Sequence, residues 1–296
     1  MRVHVINLAA AVERLAHMTR VLGAAGIAFE RFDAIDAVSA RSHRCFARIP
    51  PMAERGWAPA EIGCLLSHYE VWHRIASGGD PFAAVLEDDL FVDPALEPLL
   101  DGRRQIPGDA DLIKLETTGI EVSLSRIARC CGAGIGFHRL RSLHHGSGAY
   151  LLSRRAAGIL IDRIEAFDAP VDDALFSPAH PIGGSLRAYQ VVPALAVQGV
   201  ILAPTGHAPA LASGIERVRT VARDLHAAMA QSGHGLPGGA AAPARSRDGM
   251  SAAAVARRLR SLRKWLLERR MVVPYGLISQ PSPLHETSMA GEGAGG

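Results

Sequence analysis

The sequence is short of cysteine. Its four cysteines, Cys45, Cys64, Cys130 and Cys131, are too few to staple a chain of 296 residues, and the vicinal Cys130-Cys131 lacks zinc-ligand spacing. No disulfide framework is expected, and a reducing compartment fits. There is also no apolar run of the ~20 residues needed to span a bilayer. The N-terminus is no secretory signal, because His4 and Asn7 interrupt its apolar stretch and Glu13-Arg14 follow closely. The expectation is a cytoplasmic protein, soluble or peripheral. Net charge is also small: +3 is too little to suggest nucleic acid as a partner. Lysine is nearly missing. Lys114 and Lys264 are the two lysines among 32 basic residues, and a lysine kept against such an arginine bias singles out Lys114.

What is present is an ample core, with 48% hydrophobic residues, in a chain long enough for one large domain or two small ones. The charge is unevenly placed. Arg245 to Arg270 holds nine Arg/Lys against Asp248 and Glu268, or 9 − 2 = +7, so the remainder sums to 3 − 7 = −4. A mildly acidic domain therefore carries a basic appendage.

Val3–Leu8 reads as a strand, Ala9–Ala25 as a helix stopped by Gly26, and Phe29–Ile35 alternates as a second strand. This β-α-β opening predicts a parallel sheet with helices on its faces. Residues 37–58 look irregular, and a helix follows from Ala58 to Ser77 with Pro59 near its first turn. The apolar run Phe82–Leu86 reads as a strand buried on both faces. Further along, Pro94–Arg104 reads as a helix, and Asp111–Leu115 and Gly134–Leu143 read as strands. Ser153 should cap a helix reaching about Ala166. Pro170–Phe176 should form a short helix, and Tyr189–Val197 a last strand in which Pro193 marks an edge or bulge. The domain is expected to span 1–232. A Gly/Ala/Pro-rich linker (233–250), a basic amphipathic helix (251–278) and a disordered tail (279–296) follow.

The buried run ends in Glu87-Asp88-Asp89, and open α/β sheets bind ligands outside the carboxyl ends of their strands. Three adjacent carboxylates there suit Mg²⁺ or Mn²⁺; equally, acids before Asp93-Pro94 could begin a helix. Asn7 and Arg14 could meet a ligand's base and phosphate, or could be a capped helix with a surface arginine. Ser67 and His68 are helix neighbours about 100° apart, so they form no nucleophile–base pair. They read better as a polar pair facing a ligand while Leu65, Leu66 and Tyr69 pack. Gly146 and Gly148 would let backbone approach a ligand closely, whereas adjacent His144 and His145 point to opposite faces of a strand. Asp172-Asp173 is the best candidate for a general base, with an ordinary helix-start pair as the alternative.

Taken in order, these stretches resemble the family 25 glycosyltransferases of the lipooligosaccharide-biosynthesis galactosyltransferase type. The resemblance covers roughly residues 2–200. It rests on Val5-Ile6-Asn7-Leu8 with Arg14, Phe29–Asp36, Glu61–His68, Leu86–Asp89, Gly148–Ser153 and Pro170-Val171-Asp172. It implies a GT-A-like three-layer α/β/α sandwich with a mostly parallel sheet, and inverting transfer from a nucleotide-sugar, usually a UDP-sugar, with Mn²⁺ or Mg²⁺. Carried onto this chain, Asp89 is the leading metal ligand, with Asp88 and Glu87 beside it. Asn7 and Arg14 would stand by the nucleotide, Ser67 and His68 near the donor, and Asp172 on the acceptor side. Asp173 blurs which acid acts as base. Lys114 or Arg14 would assist the leaving diphosphate electrostatically. The acceptor would be a saccharide, possibly lipid-linked.

The basic helix, with Val255, Leu259, Leu262, Leu266 and Val273 at helical spacing and Trp265 beside them, suits an anionic membrane surface, the alternative being a helix that packs on its own domain. On the membrane reading it would hold the enzyme on the inner face of the cytoplasmic membrane. Three rival functions remain: transfer to a protein or another glycan, a non-catalytic nucleotide-sugar- or glycan-binding module on a decayed transferase fold, and a metal-dependent phosphohydrolase.

Overall fold

A computed structural model describes residues 1–49, 57–132, 134–202 and 268–275. The opening unit is β1 (Arg2–Asn7), α1 (Val12–Ala24) and β2 (Glu30–Asp33), with β1 and β2 parallel and Asn7 opposite Asp33. Next come α2 (Pro59–Ser77), β3 (Phe82–Glu87), β4 (Leu90–Val92), the one-turn α3 (Glu97–Leu100), β5 (Leu112–Lys114), β6 (Glu116–Thr117), β7 (Glu121–Ser125), β8 (Arg129–Gly132) and β9 (Ile135–Arg139). The chain continues through β10 (Ala149–Ser153), α4 (Arg154–Asp162), α5 (Val171–Phe176), α6 (Pro181–Ser185), β11 (Ala188–Val192), β12 (Ala196–Gln198) and α7 (Gly199–Leu202); β13 (Glu268–Val272) closes it.

Eight strands form the central sheet in the order β2-β1-β3-β10-β5-β11-β9-β8. Six run one way, and β10 and β9 are reversed. The sheet is thus mostly parallel, as expected. β3 shows why the apolar run had to be central: Ala83 and Val85 face one core while Ala84 and Leu86 face the other. The first core packs Leu65, Leu66 and Trp72 of α2 with Leu160 of α4 and Phe176 of α5; the second holds Met18 and Leu22 of α1 with Leu96 and Leu99. Helices cover both faces, so the three layers are α/β/α. Among the described residues no helix is long and apolar enough to cross a membrane.

Four expectations are corrected. Pro94–Arg104 is not one helix. A single tight turn at Pro94–Leu96, capped by Asp93 accepting from the Ala95 amide at 2.7 Å, leads into the four-residue α3. Gly102 then stops it at a φ of +86°, where other side chains are strained. Tyr189–Val197 is two strands of different sheets. β11 ends at the cis Val192-Pro193 bond, and β12 pairs with β4 and β6 in a separate three-stranded sheet. The helix after Ser153 ends at Asp162, with only a short turn at Ile164–Ala166 beyond it.

The fourth correction concerns the C-terminal helix. Residues 268–272 of the expected helix form β13, antiparallel to β7 with Met271 opposite Val122. Backbone pairing offered by β7 overrides the helical spacing there. The Thr117 hydroxyl donates to the Val273 carbonyl at 2.8 Å and the Ala194 amide to that of Pro274 at 2.8 Å, while Val273 is buried at 1% exposure. Val273 therefore belongs to the core, and β13 is paired to the domain and not part of a separate appendage. The remaining part of that expected helix, 251–267 and 276–278, lies outside the described residues, as do the linker and the tail.

Candidate functional site

A cleft of about 310 Å³ opens at the ends of the parallel strands β1, β2 and β3. Its apolar lining is Ile6, Leu8, Ala34, Ile35, Ala37 and Ala60, and its polar lining is Arg14, Asp36, Cys64, Ser67, His68, Glu87, Asp88 and Asp89. Six of the residues singled out in the sequence therefore line one cleft. Asn7 lies under it, and Lys114, Asp172 and Asp173 do not line it.

The three carboxylates are treated differently by their surroundings. Both oxygens of Asp88 are paired: Oδ2 accepts from Asn7 Nδ2 at 2.6 Å, and Oδ1 meets Arg14 Nη1 at 2.9 Å. Asn7 is itself fixed, donating to the Ala11 carbonyl at 3.1 Å and accepting from Arg31 Nε at 2.8 Å. Burial pushes the Asp88 carboxyl up, and Arg14 and Asn7 pull it only part of the way back. Burial pushes Glu87 up as well, but hydrogen bonds from His68 and Ser147 more than reverse this and hold it below the usual carboxylate range. Asp89 has no such relief. It is 1% exposed, its Oδ1 has no hydrogen-bond partner, and burial together with the charges of Glu87 and Asp88 drives its carboxyl well up.

Helix α2 supplies Ala60, Cys64, Ser67 and His68 to the lining. Ser67 Oγ donates to the Gly63 carbonyl at 2.7 Å and accepts the Ile35 amide at 2.8 Å, tying the helix to the chain just after β2. That approach requires Gly63, since a Cβ there would lie 2.4 Å from the Ile35 carbonyl oxygen. His68 is fully buried. Its Nδ1 lies 2.8 Å from the Tyr150 hydroxyl, which also accepts from Trp72 Nε1 at 2.9 Å, and its Nε2 lies 3.4 Å from Glu87.

Lys114 is placed elsewhere. It is fully buried, pairs with the equally buried Glu116 at 2.9 Å, donates to the Gly146 carbonyl and sits 4.2 Å from the Phe176 ring centre. This pair pins the loop from His144 to Gly148, because Glu116 also accepts the Gly148 amide at 2.8 Å. The loop links the cleft to the second acidic pair: Ser147 donates to Glu87 at 3.0 Å, and the Gly146 amide donates to Asp172 at 2.9 Å. Asp172 is buried, whereas Asp173 lies toward solvent, 2.9 Å from His145 Nδ1. Burial and the neighbouring Lys114 push His144 down to about 2, so it is a neutral imidazole.

The sequence reading missed Cys64, Ser147, Tyr150 and Glu116 as parts of this assembly. Two signals were available. Cys64 precedes His68 by one helical turn, and Glu116 follows Lys114 by the strand period of two, which puts each pair on one face. No local signal reports Tyr150, whose partners come from α2.

Residues 1–175, more than half of the chain, match glycosyltransferase family 25 (LPS biosynthesis protein). The chain belongs to that family. Among curated relatives, the lacto-N-neotetraose biosynthesis glycosyltransferase LgtB of Neisseria meningitidis is 35% identical over 189 residues, covering 60% of this chain and 67% of the relative. LgtE of Neisseria gonorrhoeae, with the same description, is 31% identical over 209 residues, covering 67% and 74%. A solved structure of the galactosyltransferase LgtC, with donor and acceptor sugar analogues, is 14% identical and matches with a TM-score of 0.35 over 67% of this chain and 86% of that one. That is too distant to speak for the chemistry of the site. This family-25 protein is thus a glycosyltransferase, and its cleft at the strand ends is the candidate active site.

Proposed function

We propose that this glycosyltransferase moves a hexose, galactose in the first instance, from a UDP-sugar to a saccharide acceptor of the lipooligosaccharide type, with inversion and with Mn²⁺ or Mg²⁺ held at Asp89. The observation that carries the reading is the partnerless, buried Oδ1 of Asp89 beside two further carboxylates at the floor of the cleft. A buried carboxyl oxygen without a partner is costly, and the group can ionise there only if something positive meets it. Oxygen-only donors suit a hard divalent cation. Both oxygens of Asp88 are already taken by Arg14 and Asn7, so the direct ligand is Asp89, and Asp88 is held by its two partners. The family's LPS-biosynthesis description and the names of LgtB and LgtE support an oligosaccharide acceptor.

When bound, the cation would supply Lewis-acid stabilisation of the leaving diphosphate. The rest falls to the chain. Arg14, partly exposed on the cleft wall, adds positive charge near the phosphates. The apolar lining of Ile6, Leu8 and Ile35 takes the base. Glu87, held ionised by His68 and Ser147, favours positive charge developing at the anomeric carbon. A single displacement needs one carboxylate to take the acceptor hydroxyl's proton. Asp172 fits this role better than Asp173: it is oriented by the Gly146 amide next to the Glu87 side of the site, whereas Asp173 pairs with His145 at the surface. The basic segment 251–267 would hold the enzyme on the anionic inner face of the cytoplasmic membrane, where a lipid-linked acceptor is found.

The test is a calorimetric titration of UDP-galactose and UDP, with and without Mn²⁺, on wild type and Asp89→Asn. Metal-dependent binding, weakened at least tenfold by the substitution, is expected. Absence of binding to wild type under every condition would remove the reading. In turnover assays Asp172→Asn should lower kcat by about 10²–10⁴ with donor affinity retained.

A further inference from the structure

Cys64 and His68 stand four residues apart on α2, so they leave the same face of the helix, and both border the cleft. Glu87 reaches the same point from the end of β3. One ligand atom from each of the three lies within 4.8 Å of the others. Thiolate, imidazole and carboxylate are the three ligand types of zinc sites. Two ligands one helical turn apart, completed by a third from another element, is how many such sites are assembled.

The geometry on the His68 side already suits a metal. The Tyr150 hydroxyl at Nδ1, held in turn by Trp72, fixes the ring with Nε2 aimed at Glu87. Metal-bound histidines characteristically have their second nitrogen fixed in this way. The Nε2···Oε1 separation of 3.4 Å is that of a loose hydrogen bond, which an ion between the two atoms would replace. It matches the ~3.4 Å between two ligands of a tetrahedral ion with ~2.1 Å bonds. Cys64 is in no disulfide and is half-buried in the cleft wall.

We propose that Cys64, His68 and Glu87 form a site for a thiophilic divalent cation of the zinc class, with a fourth position open to the cleft, separate from the oxygen site at Asp89. Ligand softness keeps the two apart: the thiolate selects zinc-class ions, and carboxylate oxygens favour Mg²⁺ or Mn²⁺. On binding, the Cys64 thiol releases its proton to solvent, and His68 presents an unprotonated Nε2 with its proton on Nδ1, toward the Tyr150 oxygen. Occupancy engages Glu87 and fills one wall of the cleft, so such an ion inhibits ligand entry. That inhibitory consequence rests on the transferase reading; the binding itself does not.

The test is a titration of the full chain with Co²⁺ followed by Zn²⁺. One equivalent of Co²⁺ should give a thiolate-to-cobalt charge-transfer band in the near ultraviolet, which Zn²⁺ displaces. Cys64→Ala should abolish the band and weaken Zn²⁺ binding at least tenfold, Cys64→Ser should do the same, and Asp89→Asn should keep the band. Circular dichroism confirms that each variant is folded. A folded wild type without the band overturns the proposal, as does a band that survives loss of Cys64, which would place the thiolate on another cysteine. Because the band needs no donor, its presence or absence is read independently of whether UDP-galactose binds.

Discussion

Replacing Lys114 with methionine tests the buried pair that holds the His144–Gly148 loop in place. Lys114 and Glu116 are both fully buried and 2.9 Å apart. Removing one partner of such a pair strands a charge in a medium that solvates it poorly, at a cost of about 3–5 kcal/mol. Burial already pushes the Glu116 carboxyl up, and Lys114 is the largest influence pulling it back. Without Lys114 it rises further, so folded Glu116 keeps a proton that the unfolded chain releases above a pKa of about 4.3. The native state then binds more protons than the unfolded state, and stability falls as pH rises, by up to about 1.4 kcal/mol per pH unit. The deficit of Lys114→Met against wild type should therefore be largest near pH 8 and shrink toward pH 5. Urea unfolding at both values measures it; with a slope of about 2–3 kcal/mol/M, the midpoint should drop by roughly 1–2 M at pH 8. Adding Glu116→Gln should recover part of the loss, since no unpaired charge remains. A loss below about 1 kcal/mol at pH 8, or a deficit that grows on acidification, would refute the reasoning.

Further expectations follow from other contacts. Gly63→Ala must push α2 away from the Ile35 carbonyl; it should cost about 1–3 kcal/mol and weaken donor binding together, and an unchanged urea midpoint would contradict this. A chain ending at residue 267 loses β13 and buried Val273. It should melt several degrees lower, and equal melting temperatures would make the returning strand dispensable. Mn²⁺ must displace a proton from Asp89, whose carboxyl lies well up. If the cation binds there, its affinity should rise with pH for as long as Asp89 keeps its proton, by at most about tenfold per pH unit, a slope that Asp89→Asn should flatten in calorimetry. Changing Arg257, Arg258, Arg260 and Arg263 to glutamine should reduce binding to phosphatidylserine vesicles by roughly a hundredfold or more, at about 1 kcal/mol per charge; equal binding would count against the membrane reading.

Sequence pattern was most legible where local chemistry and burial agree. The Phe82–Leu86 run had to be a central strand because successive residues feed two different cores. The β1-α1-β2 opening followed from spacing and a glycine stop. β13 was not legible, because what makes Arg269–Val272 a strand is the open edge of β7, far away in sequence. A helical period among arginines reads the same whether or not such an edge exists. The acidic triplet shows the same limit at the scale of single atoms. Position at a strand end makes Glu87, Asp88 and Asp89 candidates together, and in the sequence only the family resemblance puts Asp89 first. Their roles diverge only through residues brought in by the fold: Asn7 and Arg14 to Asp88, His68 and Ser147 to Glu87. Asp89 is what remains after those partners are assigned. On the proposed metal-dependent reading, one oxygen must be left unmatched by the protein for the cation, and the neighbours of the triplet, more than the triplet itself, select which one.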